Sequence, residues 1–294
     1  MPLFRRPDGD LVRGESPVRR IMPYLMRGRN ESAVYHDTVF RIGAARAWLR
    51  AYNRSHVMRA TLFHLLAYSC AVALEARPRL NRFVSGGRLY QRRGVSLSFV
   101  VKKEASDEGP DVTVKITVPP GETFPSFSAR LARMVDEARE IERAVDREVG
   151  LVMRLPGPLV RFAVALARAL DHWNLLPWFM MRNDPMYASL FLANLGSMGV
   201  SDVFHHLYEY GTVSIFGAMS APRRASLVVD GRPAIEDTLP VRWTFDERID
   251  DAFSCAHSLA LVQEVLEAPE AHLGPPQGEP VWRRSPPGDS LQVG

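Results

Sequence analysis

The sequence predicts an α/β domain, and three observations carry that prediction. Val95-Ser-Leu-Ser-Phe-Val-Val101 alternates apolar and polar residues, the period of a strand with one buried face. Thr61 to Ala76 instead repeats Leu62, Leu65, Leu66, Ser69, Val72 and Ala73 at helical spacing. The two kinds of segment are interleaved, as in the helix, strand, helix order between Val18 and Tyr52. With 294 residues, 46% of them hydrophobic, the chain can bury one large core or two modest ones.

Taken in order, residues 1–17 are polar and contain Pro2, Pro7, Gly9, Gly14 and Pro17, so a flexible arm is expected. Asn30 to Phe40 passes from a polar start into β-branched and aromatic residues, as a strand does. Gly43 to Tyr52 begins an amphipathic helix. The Thr61–Ala76 helix has Thr61 as its cap and Pro78 as its stop. Strand-like segments follow at Gly87–Gln91, Val95–Val101 and Val112–Val118. Ser126 to Val149 is a charged helix whose apolar stripe is Phe127, Leu131, Met134, Val135, Ile141, Val145 and Val149.

Residues 150–181 form an apolar helical insertion, broken at Pro156-Gly157-Pro158 and ending in Trp173, Trp178 and Phe179. Three readings fit it: a buried helical pair, a surface that docks on a partner subunit, or an interfacial membrane contact. Met186 to Gly196 and Val213 to Ala218 read as strands, Ser226 to Ile235 as a hairpin turning at Asp230-Gly231, and Leu239 to Phe245 as a further strand. Asp251 to Leu266 is the closing helix, and residues 267–294 form a Pro/Gly-rich tail expected to be disordered. The core domain therefore runs from 18 to 266.

The net charge is +4, and lysine occurs only at Lys102, Lys103 and Lys115, so arginine supplies most of the cations. The arginines are scattered among acids, which argues against a nucleic-acid footprint and allows at most one anion-binding patch. Cys70 and Cys255 have neither metal-ligand spacing nor a disulfide framework. Both lie among apolar residues, so buried thiols and a reducing cytoplasm are expected. No window reaches the length of a transmembrane helix, and the N-terminus has no apolar run of signal-peptide length.

Near the C-terminus stands Asp246-Glu-Arg-Ile-Asp-Asp-Ala252. It resembles the Asp-His-Arg-x-x-Asp-Gly motif, also found with Asn-Gly, of the acyltransferase cores of 2-oxoacid dehydrogenase complexes, relatives of chloramphenicol acetyltransferase. Asp246, Arg248 and Asp251 match; Glu247 replaces the histidine and Ala252 the glycine. Arg77-Pro-Arg-Leu-Asn81 is similar to the family's Pro-x-Leu-Asn segment, and Ala193-Asn-Leu-Gly196 to its Ser-Asn-Leu-Gly turn, with Ala193 at the hydroxyl position and Asn194 and Gly196 matching. The family's residues around the acyl-donor strand are not kept at Ser106–Val118. The resemblance spans residues 18–266.

The resemblance implies a two-layer mixed-sheet sandwich of the chloramphenicol acetyltransferase type and a homotrimer. It implies CoA or an acyl-CoA as substrate with no covalently bound cofactor, and a lipoyl-carrying or other complex partner, since the 17-residue arm is too short for a lipoyl domain. In that family a histidine deprotonates a thiol that attacks a thioester, a hydroxyl steadies the oxyanion, and the motif's Asp and Arg form a structural ion pair. A carboxylate at Glu247 is about two pKa units less basic than imidazole, a loss of roughly 2.7 kcal/mol in driving force, and burial can return part of it. The hydroxyl missing at Ala193 costs about 3–4 kcal/mol more. Two readings follow: an acyltransferase with an altered base, or a catalytically degenerate trimeric scaffold in which Glu247 pairs with an arginine. His205 and His206, in Phe204-His-His-Leu-Tyr-Glu-Tyr-Gly211, are a second base candidate, set against a structural loop, a subunit contact or a metal site. Neighbouring side chains on an extended strand point apart, which disfavours the metal.

Overall fold

The computed structural model describes residues 5–102, 111–137 and 154–278. Six strands form the main path of a seven-stranded sheet: β2 (Ala33–Arg41), β5 (Val95–Lys102), β6 (Asp111–Val118), β7 (Leu190–Asn194), β8 (Ile215–Met219) and β10 (Arg232–Asp246). Their order is β2-β10-β8-β7-β5-β6, and β9 (Arg223–Val229) pairs with the first half of β10. The β5/β7 and β7/β8 pairs are parallel and the others antiparallel, so the sheet is mixed. A separate three-stranded sheet joins β1 (Gly9–Leu11), β4 (Arg88–Arg92) and β3 (Arg82–Ser85).

Alternation along the strands gives the large sheet two different faces. Phe40, Leu97, Phe99, Val114, Ile116, Leu190, Leu192, Val241, Trp243 and Phe245 share one core with the helix layer. That layer contains α2 (Gly43–Ser55), α3 (Leu62–Ala76), α4 (residues 124–137), α7 (Ala252–Glu267) and α8 (Pro269–Leu273). α3 is buried almost all round, from Leu65 to Cys70 and on to Leu74. It begins at the predicted cap, where Thr61 accepts from the His64 backbone and His64 accepts in return. The opposite face of the sheet carries a smaller cluster of Phe191, Ala193, Phe216 and Ala218, closed over by Leu207 and Val213. This is the two-layer α/β architecture expected. The Asp230-Gly231 turn is also as predicted, both residues having positive φ (50° and 75°), as a two-residue hairpin turn requires.

Three expectations change. The arm expected at 1–17 is docked over its described residues: β1 pairs with β4, and Arg6 is buried against Asp8, Ser85 and Asp171. Its polar composition hides this, because the arginine finds its partners far along the chain. The tail is ordered as far as 278. α8 follows directly on α7, and Trp48 Nε1 donates to Gly274 O at 3.0 Å; residues 279–294 lie outside the described residues.

The insertion does not form a buried pair. α5 (Gly157–His172) buries no residue, and Leu159, Phe162, Val164, Leu166, Trp173, Trp178 and Phe179 are exposed. Only the face with Val160, Ala167 and Leu170 turns inward, together with Leu176 and Met181, the latter in α6 (Trp178–Arg182). The last part of the helix predicted to Val149 and residues 106–110, part of the stretch where the family's donor-side residues are not kept, fall outside the described residues. Among the described residues no helix is long and apolar enough to cross a membrane.

Candidate functional site

The site is built at the C-terminal end of β10, the strand at the centre of the widest pairing. Asp246 and Arg248 leave the strand into the interior and are 0% and 3% exposed. Arg248 Nε and Nη2 donate to the two Asp246 oxygens at 2.8 and 2.7 Å, a bidentate charge-assisted pair. Ser32 Oγ and the Arg248 backbone N–H complete the carboxylate, each at 3.1 Å. Arg248 Nη1 then ties the pair to the end of α1 (Pro17–Leu25) through Met26 O and Arg27 O. Asp251 serves the next helix instead, since its Oδ1 accepts from Ser254 N at 2.8 Å and caps α7.

Between the buried pair, Glu247 points outward and is exposed. Its backbone is held on both sides, N–H to Ser32 O at 2.9 Å and O from Arg19 Nη1 at 3.0 Å. Among the described residues its carboxylate makes no ion pair, so the expected arginine partner is not found. It borders a small cavity of about 90 Å³ with Val34, Tyr35, His36, Phe245, Asp250 and Cys255. Burial and the nearby Asp250 and Asp251 carboxylates push the Cys255 thiol up to about 12, so it stays protonated. His36 is absent from the sequence-based candidates. It reaches this cavity because β2 runs antiparallel to β10 with His36 opposite Trp243, a register that no local motif announces.

His205 and His206 lie on the loop covering the smaller cluster. The His205 ring stacks on Phe216 at 4.0 Å and on His206 at 4.6 Å. His205 Nδ1–H donates to His206 O at 2.7 Å, which leaves Nε2 as the basic nitrogen. Burial, and less strongly the neighbouring His206, holds the His205 pKa below its ordinary value. His206 Nδ1–H donates to Leu207 O at 2.9 Å. The loop is joined to the Glu247 region by Phe204, whose ring meets Tyr35 edge-on at 5.5 Å, and by Thr244 Oγ1, which donates to His205 O. Among the described residues neither imidazole is hydrogen-bonded to Glu247, and no group of three His, Cys, Asp or Glu side chains is placed to hold a metal ion.

Ala193, at the end of β7, is buried within the apolar cluster beside Ala218 and Phe191. Asn194 Oδ1 accepts from Ser197 N at 3.3 Å and starts the turn. Gly196 is required there: a Cβ would lie 2.5 Å from Ala221 N.

No family model matches the sequence, and no curated protein sequence matches it. Solved structures do match in fold. A dihydrolipoamide acetyltransferase from Azotobacter vinelandii, in which the roles of a serine, a histidine and an asparagine in the catalytic mechanism have been investigated, has a TM-score of 0.57 at 16% identity, covering 88% of this chain and 93% of that one. The cubic core of a pyruvate dehydrogenase multienzyme complex gives 0.57 at 15% identity over 88% and 93%. A truncated catalytic core of the 2-oxoacid dehydrogenase multienzyme complex from Thermoplasma acidophilum gives 0.56 at 13% identity over 88% and 98%. The chain thus has the fold of these acyltransferase cores.

Proposed function

We propose that this chain is an acyltransferase that uses a thioester donor, an acyl-CoA, with Glu247 as its general base. The observation that carries the reading is the contrast within Asp246-Glu-Arg248: two neighbours locked in a buried ion pair, and between them an exposed carboxylate without a cationic partner among the described residues. The Glu247 carboxylate accepts the proton of the acceptor thiol, amine or alcohol as that atom attacks the thioester carbonyl. The tetrahedral intermediate collapses with cleavage of the C–S bond, and the departing CoA thiolate regains the proton from Glu247. Ala193 cannot donate to the oxyanion, so this step depends on other donors. Assembly as a homotrimer is part of the proposal, as the resemblance to the trimeric acyltransferase cores implies. A lipoyl-carrying partner is one source of an acceptor thiol. A cytoplasmic setting fits the two buried thiols.

A second reading has its own support. The place of the hydroxyl is filled by apolar packing of Ala193, Phe191 and Phe216, with His205 stacked over it. This favours a catalytically degenerate core that serves as a scaffold in a larger complex. Calorimetric titration with CoA and acetyl-CoA, with oligomeric mass measured on the same sample, and an assay of thioester loss with thiol, amine and alcohol acceptors separate the two. Acyl transfer by the wild type that Glu247→Gln abolishes, with melting temperature and mass unchanged, is the expected result. A well-folded protein that neither binds CoA nor consumes thioester overturns the enzymatic reading in favour of the scaffold.

A further inference from the structure

On the other side of the Asp246–Arg248 pair from Glu247 lies a cavity of about 540 Å³, a volume in the range of small-molecule sites. Its walls are the end of α1, the turn between β3 and β4, α5 and the loop at 209–211. Arg29 lies in this wall and is 6% exposed. Its Nη1 donates to Tyr208 O and Glu209 O, at 3.3 and 3.1 Å, and its Nη2 to Val84 O at 3.2 Å. Arg29 Nε has no hydrogen-bond partner, and the guanidinium makes no ion pair among the described residues. Arg6 and Arg248, buried to the same degree, each hold a carboxylate directly. A buried cation satisfied only by carbonyls is costly unless an anion joins it. Desolvation accordingly holds the Arg29 pKa below its ordinary value.

The other lining groups add to the surplus of donors. Arg27 and Arg168 are exposed at the edge of the cavity, and neither makes an ion pair among the described residues. The Tyr187 hydroxyl is buried beside Tyr210, whose own hydroxyl donates to Asp184 at 2.9 Å. The two carboxylates in the lining are already engaged. Asp171 accepts from Arg6 at 2.9 Å and from Ser85 at 3.2 Å. Glu209 accepts from Arg29 N, Asn30 N and Asn30 Nδ2 at 3.2, 3.0 and 3.1 Å. Positive charge therefore converges where the carboxylates are already spent.

We propose that this cavity binds a phosphate-bearing small molecule, with the phosphate between Arg27, Arg29 and Arg168 and within reach of Tyr187. Three guanidinium groups exceed what one carboxylate can use and suit the charge and oxygen count of a phosphate. The inference does not rest on the acyl-transfer reading: it uses different residues and holds for enzyme and scaffold alike.

The test is calorimetric titration of inorganic phosphate into the full chain at constant ionic strength, repeated in the presence of CoA. The Arg27→Ala/Arg168→Ala double variant changes exposed residues only, and Tyr187→Phe removes one oxygen while keeping the ring. The expected result is saturable, stoichiometric phosphate binding, weakened at least about tenfold in the double variant and severalfold in Tyr187→Phe. Both variants should melt as the wild type does. Displacement of phosphate by CoA would identify CoA phosphates as the ligand; binding of both together would identify a separate phosphate compound, and either supports the site. Absence of saturable phosphate binding up to about 10 mM, or equal affinity in the double variant, overturns it.

Discussion

Replacing Asp246 by alanine removes the acceptor of four hydrogen bonds, from Arg248 Nε, Nη2 and N and from Ser32 Oγ. It leaves the Arg248 guanidinium buried with only the carbonyls of Met26 and Arg27. Breaking a buried pair from one side costs about 3–5 kcal/mol. The two remaining carbonyl contacts place Asp246→Ala towards the lower end, about 3 kcal/mol. For a chain of this size that corresponds to a fall in melting temperature of roughly 6–10 °C. Arg248→Met should cost a similar amount, because it strands the carboxylate in turn. The Asp246→Leu/Arg248→Met double variant, which removes both charges, should lie within about 1–2 kcal/mol of wild type. Urea unfolding followed by tryptophan fluorescence, with mass measured alongside, gives the three values and a coupling energy. Glu247→Gln is the internal control: one residue away and exposed, it should move stability by less than about 0.5 kcal/mol. Strictly additive single effects, or an Asp246→Ala cost below about 1 kcal/mol, would refute the claim that this pair acts as a unit.

His64 gives a pH-dependent contribution. Its Nδ1 accepts from Thr61 N, and burial lowers its pKa from 6.5 to about 4. Between those values the unfolded chain binds a proton that the folded chain refuses, so this contribution is complete above about pH 6.5 and lost as the pH falls to about 4, at most about 3 kcal/mol. Urea midpoints between pH 4 and 7 should therefore fall more steeply for wild type than for His64→Gln; parallel lines would contradict this. On the insertion, Phe162→Ser and Trp178→Ser should each change the stability of the single chain by less than about 0.5 kcal/mol. Trp243→Ala in the core should cost about 3–5 kcal/mol. A loss above about 2 kcal/mol at Phe162, without a change in mass, would mean that α5 is packed after all.

What the sequence shows and hides follows from the range of the interactions. Period-two alternation in Val95–Val101, the Thr61 cap and the Asp230-Gly231 turn are local, so each is read from a few neighbouring residues and recurs in the fold. The Asp246/Arg248 pair is also local, two residues apart, and the motif's resemblance to the acyltransferase family implies it. Arg6 is the opposite case: its partners Ser85 and Asp171 are 79 and 165 residues away, so a polar arm looks free when its charge is buried. The same holds for His36, placed in the Glu247 cavity only by the register of two distant strands. Helical spacing in α5 correctly gives a helix, yet spacing cannot say what covers each face, and Leu159, Phe162, Leu166 and Trp173 remain uncovered in the single chain. The arginine cavity needs α1, the β3–β4 turn, α5 and the loop at 209–211 at once, so no window of sequence contains it. Features set by neighbouring residues were therefore legible, whereas sites assembled from several elements required the fold.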